Sequence, residues 1–113
     1  MPIFVHVKHY LTESGFTFFD GWFLRVHKYM SQKTGFQSLE YAKYPSDSII
    51  HIVLAFENIE KLEAWIKEPV HDKLVDELDA YRSRNIWHAA RTQDPEADWK
   101  TLPYQEICAK SAL

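Results

Sequence analysis

The sequence predicts an α+β fold, one antiparallel sheet beside a layer of helices, and three observations predict it. Short β-branched and aromatic runs alternate with stretches whose apolar residues recur every three or four positions. The order of these segments is strand, helix, strand, strand, helix, strand. The 113 residues suffice for one hydrophobic core and not for two.

Residues 3 to 10, Ile-Phe-Val-His-Val-Lys-His-Tyr, lie between Pro2 and Thr12-Glu13-Ser14-Gly15 and read as the first strand. From Ser14 to Lys33 a stripe of Phe16, Phe19, Phe23, Val26 and Met30, widened by Trp22, predicts an amphipathic helix. Gly21 weakens that helix by about 1 kcal/mol relative to alanine. Thr34-Gly35 stops it, residues 36 to 44 form a second strand, and Pro45-Ser46-Asp47-Ser48 a turn. Residues 49 to 56 are the most apolar strand. Asn58 caps a helix carrying Leu62, Trp65 and Ile66. Pro69 either interrupts that helix or starts a second segment running to about Tyr81, with Leu74, Val75 and Leu78 on its packing face. The last strand spans Arg84 to Thr92.

This order predicts a ferredoxin-like βαββαβ sandwich with spatial strand order 4-1-3-2 and helices on one face. Residues 1–94 form the domain, and 95–113 a C-terminal arm. Apolar residues occupy both faces of the strands: Ile50, Ile52, Leu54 and Phe56 oppose Ile49, Val53 and Ala55. A monomer would leave one face bare, so the expected assembly is a homodimer whose sheets pair into a dimeric α+β barrel, with the arm packing across it. The alternative is that the arm folds back over its own sheet.

Composition excludes several function classes. Thirteen Lys and Arg stand against 16 Asp and Glu, for a net charge of -3 and no basic run, so no nucleic acid partner is expected. Cys108 is the single cysteine, which fits a reducing, cytoplasmic setting. No signal peptide or membrane span is legible. There is no Gly-rich phosphate loop, no Cys-x-x-Cys and no Gly-x-Ser-x-Gly elbow.

His6, His51 and His88 share strand phase, each two residues from apolar neighbours, and are expected to point together between sheet and helices. Imidazoles so placed line a ligand pocket or shuttle a proton. Without His-x-x-x-His or a nearby acidic ligand, no metal is expected. Lys8 shares the phase of His6 and is a candidate for orienting an acidic oxygen. Tyr41 and Tyr81 offer phenolic hydrogen bonds, and Trp65 with His71 offers an aromatic wall and a polar mouth. His9 and His27 show no clustering. Asp72, Asp76 and Glu77 suit a solvated helix face better than an acid pair.

Residues 3 to 92 resemble the antibiotic biosynthesis monooxygenase family of dimeric α+β barrels. The resemblance rests on Phe4-Val5-His6-Val7-Lys8; on Gln32-Lys33-Thr34-Gly35-Phe36 leading to Leu39-Glu40-Tyr41; and on Ile52 to Asn58, followed by Leu62-Glu63-Ala64-Trp65 and Glu68-Pro69-Val70-His71. It implies a cofactor-independent monooxygenase that turns an aromatic or apolar small molecule into a quinone-type product. His71 and His6 would be the acid or base groups, and Lys8, His51, Trp65, His88 and Tyr41 would hold substrate. Haem-degrading relatives need a histidine ten residues beyond the tryptophan; Val75 stands there, so no cofactor is expected. The alternative function is a noncatalytic ligand-binding or structural dimer.

Overall fold

A computed structural model describes residues 1–109; residues 110–113 of the expected arm lie outside the described residues. Strands β1 (Ile3–Leu11), β2 (Phe36–Tyr44), β3 (Ile49–Phe56), β4 (Arg82–Thr92) and β5 (Gln105–Cys108) form one antiparallel sheet in the order β2-β3-β1-β4-β5. Helices α1 (Glu13–Met30), α2 (Ile59–Ile66) and α3 (Pro69–Asp76) cover one face. The first four strands take the ferredoxin-like arrangement that the sequence predicts, and β5 is added to it.

The termini of the helices follow local chemistry. Thr12 caps α1, its Oγ1 accepting from Gly15 N at 3.2 Å. Asn58 Oδ1 accepts from Lys61 N at 2.9 Å to open α2. Pro69 starts α3, where its missing N–H costs no helical bond. Gly35, at φ +84, turns the chain from α1 into β2.

Odd-numbered residues of β1 (Ile3, Val5, Leu11) and even-numbered residues of β3 (Ile50, Ile52, Phe56) pack under Phe19, Trp22, Val26 and Met30 of α1. Trp22 Nε1 donates to the Leu74 carbonyl at 2.8 Å and ties α1 to α3. No helix among the described residues is long and apolar enough to cross a membrane.

One expectation is corrected. The sheet does not close into a barrel: β2 and β5 are its two open edges. The apolar far face that motivated pairing of two sheets is partly covered by the chain itself. After β4 the backbone passes through a short 3-10 turn, Trp99–Thr101, and returns as β5 beside β4. Trp99 stacks on His51 at 4.3 Å between ring centroids, and Lys8 Nζ lies 4.1 Å over the Tyr104 ring.

The close approach of α1 to the start of β4 makes one packing prediction. A Cβ on Gly15 would lie 2.9 Å from Leu11 Cβ and 3.0 Å from both Cβ and O of Tyr81. Gly15→Ala is therefore expected to cost about 1–3 kcal/mol, despite alanine's better helix propensity. Gly21 has nothing within 4 Å of such a Cβ, so Gly21→Ala should stabilise by up to about 1 kcal/mol. Thermal unfolding of the pair checks both signs; equal shifts would refute the packing argument.

Candidate functional site

The side chains singled out in the sequence divide between the two faces of the sheet. Trp65 and His71 lie on the helix side. His6, Lys8, His51 and His88 lie on the opposite face, because they alternate with residues that pack beneath the helices. This corrects the expectation that the three strand histidines point between sheet and helices. Shared strand phase established that they share a face, and the wrong face was assigned to them.

On the far face the polar groups are tied to one another. His6 Nδ1 and His51 Nε2 are 2.9 Å apart, with rings nearly parallel at 12° and centroids 5.1 Å apart. Only one of these nitrogens can carry the shared proton. Burial pushes the pKa of His6 down. Burial, with the charges of His6 and Lys8, pushes His51 down to about 4. His88 Nδ1 meets the Tyr10 hydroxyl at 2.8 Å and His88 Nε2 lies 3.8 Å from Glu106 Oε1. Burial, then Lys8, lowers its pKa. Tyr104 donates its hydroxyl to the Trp99 carbonyl at 2.6 Å, and burial pushes its pKa up to about 12. Among the described residues no three His, Cys, Asp or Glu side chains are grouped so as to hold a metal ion.

Tyr41 also lies on the helix side, beside α1 rather than with Trp65 and His71. It is exposed, donates to Asp20 Oδ1 at 3.0 Å and packs against Phe19 and Phe23. That hydrogen bond to a carboxylate raises its pKa.

The helix side contains a cavity of about 520 Å³ between β1, β3, β4, β5 and helices α2 and α3. That volume is in the range of small-molecule sites. Val5, Val7, Leu54, Trp65 and Trp87 make much of its wall, and His71, Arg91 and Gln105 add polar groups. Val7 and Leu54 are only partly buried although they sit mid-strand on the packed face, since helices do not cover them here. The cavity exists because the helical layer breaks at Pro69: α2 ends, α3 restarts, and His71 is set in the first turn of α3.

His71 meets the Trp65 ring edge to face, at 5.3 Å and 89°. Its Nδ1 lies 3.2 Å from Asp72 Oδ1. An Nδ1–H donated to that carboxylate leaves Nε2 as the basic nitrogen. A smaller adjoining pocket of about 90 Å³, the extension of this site towards α1, shares Val7, Leu54, Trp65, His71 and Trp87 as wall with the main cavity and is also lined by Trp22, Met30 and His9. His9 was passed over in the sequence. Its parity with Val5 and Val7, the strand positions that face the helices, was the available signal.

By sequence the chain matches no protein-family model and no curated protein. Solved structures share its fold. A single-site variant of SnoaB, a cofactor-independent oxygenase from Streptomyces nogalater, superposes with a TM-score of 0.71 at 8% identity, covering 85% of this chain and 95% of that one. A conserved protein from Methanosarcina mazei Go1 gives 0.71 at 10% identity, covering 81% and 91%. An antibiotic biosynthesis monooxygenase gives 0.69 at 8% identity, covering 81% and 97%. At these identities the likeness is one of fold.

Proposed function

We propose that this chain is a cofactor-independent oxygenase for a phenolic aromatic small molecule, bound between sheet and helices with His71 as the base. The observation that carries this reading is the largely apolar cavity of about 520 Å³ with the Trp65–His71 pair in its wall. The fold shared with a cofactor-independent oxygenase supports it. The cavity as described is lined by residues of one chain. His6, on the other side of the sheet, takes no part.

The chemistry starts with proton transfer from the phenol to His71 Nε2, the ring being oriented by the contact of its Nδ1 with Asp72 Oδ1. The phenolate oxygen takes back a proton from an activated ring-bridging CH2 carbon, and the carbanion that this C–H cleavage leaves, delocalised over the ring system, adds to dioxygen. A C–O bond forms, and the resulting peroxide takes a proton to become a hydroperoxide. Loss of water then leaves a carbonyl. One oxygen atom ends in the product and the other in water, and all four electrons come from the two C–H bonds of that carbon, so no external reductant is consumed. The apolar walls hold the ring, and Arg91 in the cavity lining supplies positive charge for the anionic stages.

Oxygen uptake with an anthrone-type phenol is the test. Wild type should consume one dioxygen per quinone formed, and His71→Ala should lose about a hundredfold or more in kcat while ligand still quenches cavity tryptophan fluorescence. Binding without oxygen uptake in the wild type would replace this reading with noncatalytic ligand binding. An undiminished kcat in His71→Ala would remove His71 from the mechanism.

A further inference from the structure

The smaller extension of the cavity contains a second imidazole whose proton position is fixed by its neighbours. His9 is 2% exposed, lies opposite Trp87 across the β1–β4 pair, and packs against the Trp22 and Trp87 rings at 6.5 and 5.4 Å. Its Nδ1 is 3.1 Å from Arg82 Nη1. A guanidinium has five donors and no acceptor, so Nδ1 must be the acceptor and the ring proton must sit on Nε2. A proton on Nδ1 would set N–H against N–H and one buried charge against another.

Arg82 cannot swing aside to relieve this. Its Nε donates to Asp79 Oδ1 at 2.6 Å, and the two side chains are 1% and 6% exposed. Burial, reinforced by the Arg82 charge and opposed by Asp79, pushes His9 down to about 3. Near neutral pH the imidazole is therefore neutral, with its proton on Nε2. Among the described residues Nε2 shows no protein hydrogen bond and is not a sealed-off buried atom, that being Arg82 Nη2; His9 instead lines the smaller pocket.

We propose that His9 Nε2–H is a ligand-binding donor that takes an acceptor oxygen, a ketone or quinone-type carbonyl, with Arg82 as the positioning residue that fixes its tautomer. The inference rests on the cavity being a ligand chamber, and it adds a polarity to it. His71 and His9 both line the extension, one poised to accept a proton and the other able only to donate a hydrogen bond. The Trp22 indole N–H, nearby, is already committed to the Leu74 carbonyl. The preferred ligand thus carries an ionisable hydroxyl and, separately, a carbonyl oxygen. A buried donor discriminates strongly against an analogue that leaves it unpaired.

The probes are acetylnaphthalene and ethylnaphthalene, which have the same shape and differ by the carbonyl oxygen, with binding read from tryptophan fluorescence. The ratio of their dissociation constants should shift about tenfold against the ketone in His9→Phe relative to wild type. It should stay unchanged in His71→Phe. An unchanged ratio in His9→Phe, or no binding of either probe to wild type, overturns the proposal. If His9→Phe does not fold, imidazole nitrogen NMR on the wild-type chain decides. Protonation at Nε2 and a shift of that resonance by the ketone alone support the proposal; protonation at Nδ1, or equal shifts from both probes, refutes it. Failure of oxygen uptake with an intact ketone preference would sink the oxygenase reading and leave this one standing.

Discussion

Asp79→Ala is expected to destabilise the fold by about 3–5 kcal/mol, among the largest losses any single substitution here should produce. Removing the carboxylate leaves the Arg82 guanidinium, 1% exposed, without its counter-charge. The remaining neighbour named for it, His9 Nδ1, offers a lone pair but no negative charge. Urea unfolding reads the effect as a large drop in midpoint at unchanged slope. Asp20→Ala is the control. Asp20 also pairs with a cation, Lys43 at 2.9 Å, yet its side chain is 57% exposed, and water screening should make its loss far less costly. A similar small cost for Asp79→Ala would mean that water reaches Arg82 and that His9 is not locked.

Acid should unfold this protein at a higher pH than carboxylate titration alone would dictate. His51, pushed down to about 4, and His9, pushed down to about 3, both start from 6.5. Between those values and 6.5 the unfolded chain binds protons that the folded chain refuses. The free energy of unfolding therefore falls as pH falls, by about 1.4 kcal/mol per unit for each histidine. The stabilisation is fully present above 6.5 and is lost on descending towards the folded-state values. From about pH 7 to about pH 4.5 the two losses run in the same direction, so the urea midpoint should fall steadily. His6, also pushed down by burial, adds in the same direction. Urea midpoints across this range provide the check. A flat profile down to about pH 4.5 would show that the two rings accept protons without cost in the folded state.

The architecture was legible where a pattern is local. The stripe of Phe19, Trp22, Val26 and Met30 predicted α1, and the alternation in β1 and β3 predicted paired strands with two distinct faces. What alternation does not encode is which face meets the helices. His6, His51 and His88 were therefore grouped correctly and oriented wrongly. The barrel expectation failed for a related reason: apolar residues on both faces implied a missing partner surface, and the chain supplies part of it through Trp99 and Tyr104. β5 was not read because Gln105 to Cys108 is too short for a periodic signal. The Trp65–His71 pair was visible across the Pro69 break. His9 was not, since its meaning comes from Arg82, which is 73 positions away and brought alongside only by the β1–β4 pairing.

The four residues of β5 also bear on how the protein behaves in a crowded solution. β4 is eleven residues long, and among the described residues its outer side is paired with β5 from Ile86 to Ala89, with Ala109 N adding a bond to the Asn85 carbonyl. Without that short cover its free amides and carbonyls would form a template for strands of other molecules, the usual start of amorphous or fibrillar aggregation. Arg84 and Arg91 flank the covered stretch, and Glu40 and Lys43 mark the opposite edge on β2. A strand arriving from another molecule would have to bring its own chain alongside these charges. The folded-back segment and the charged flanks thus act as gatekeepers, protecting solubility at the two edges left open by a sheet that does not close.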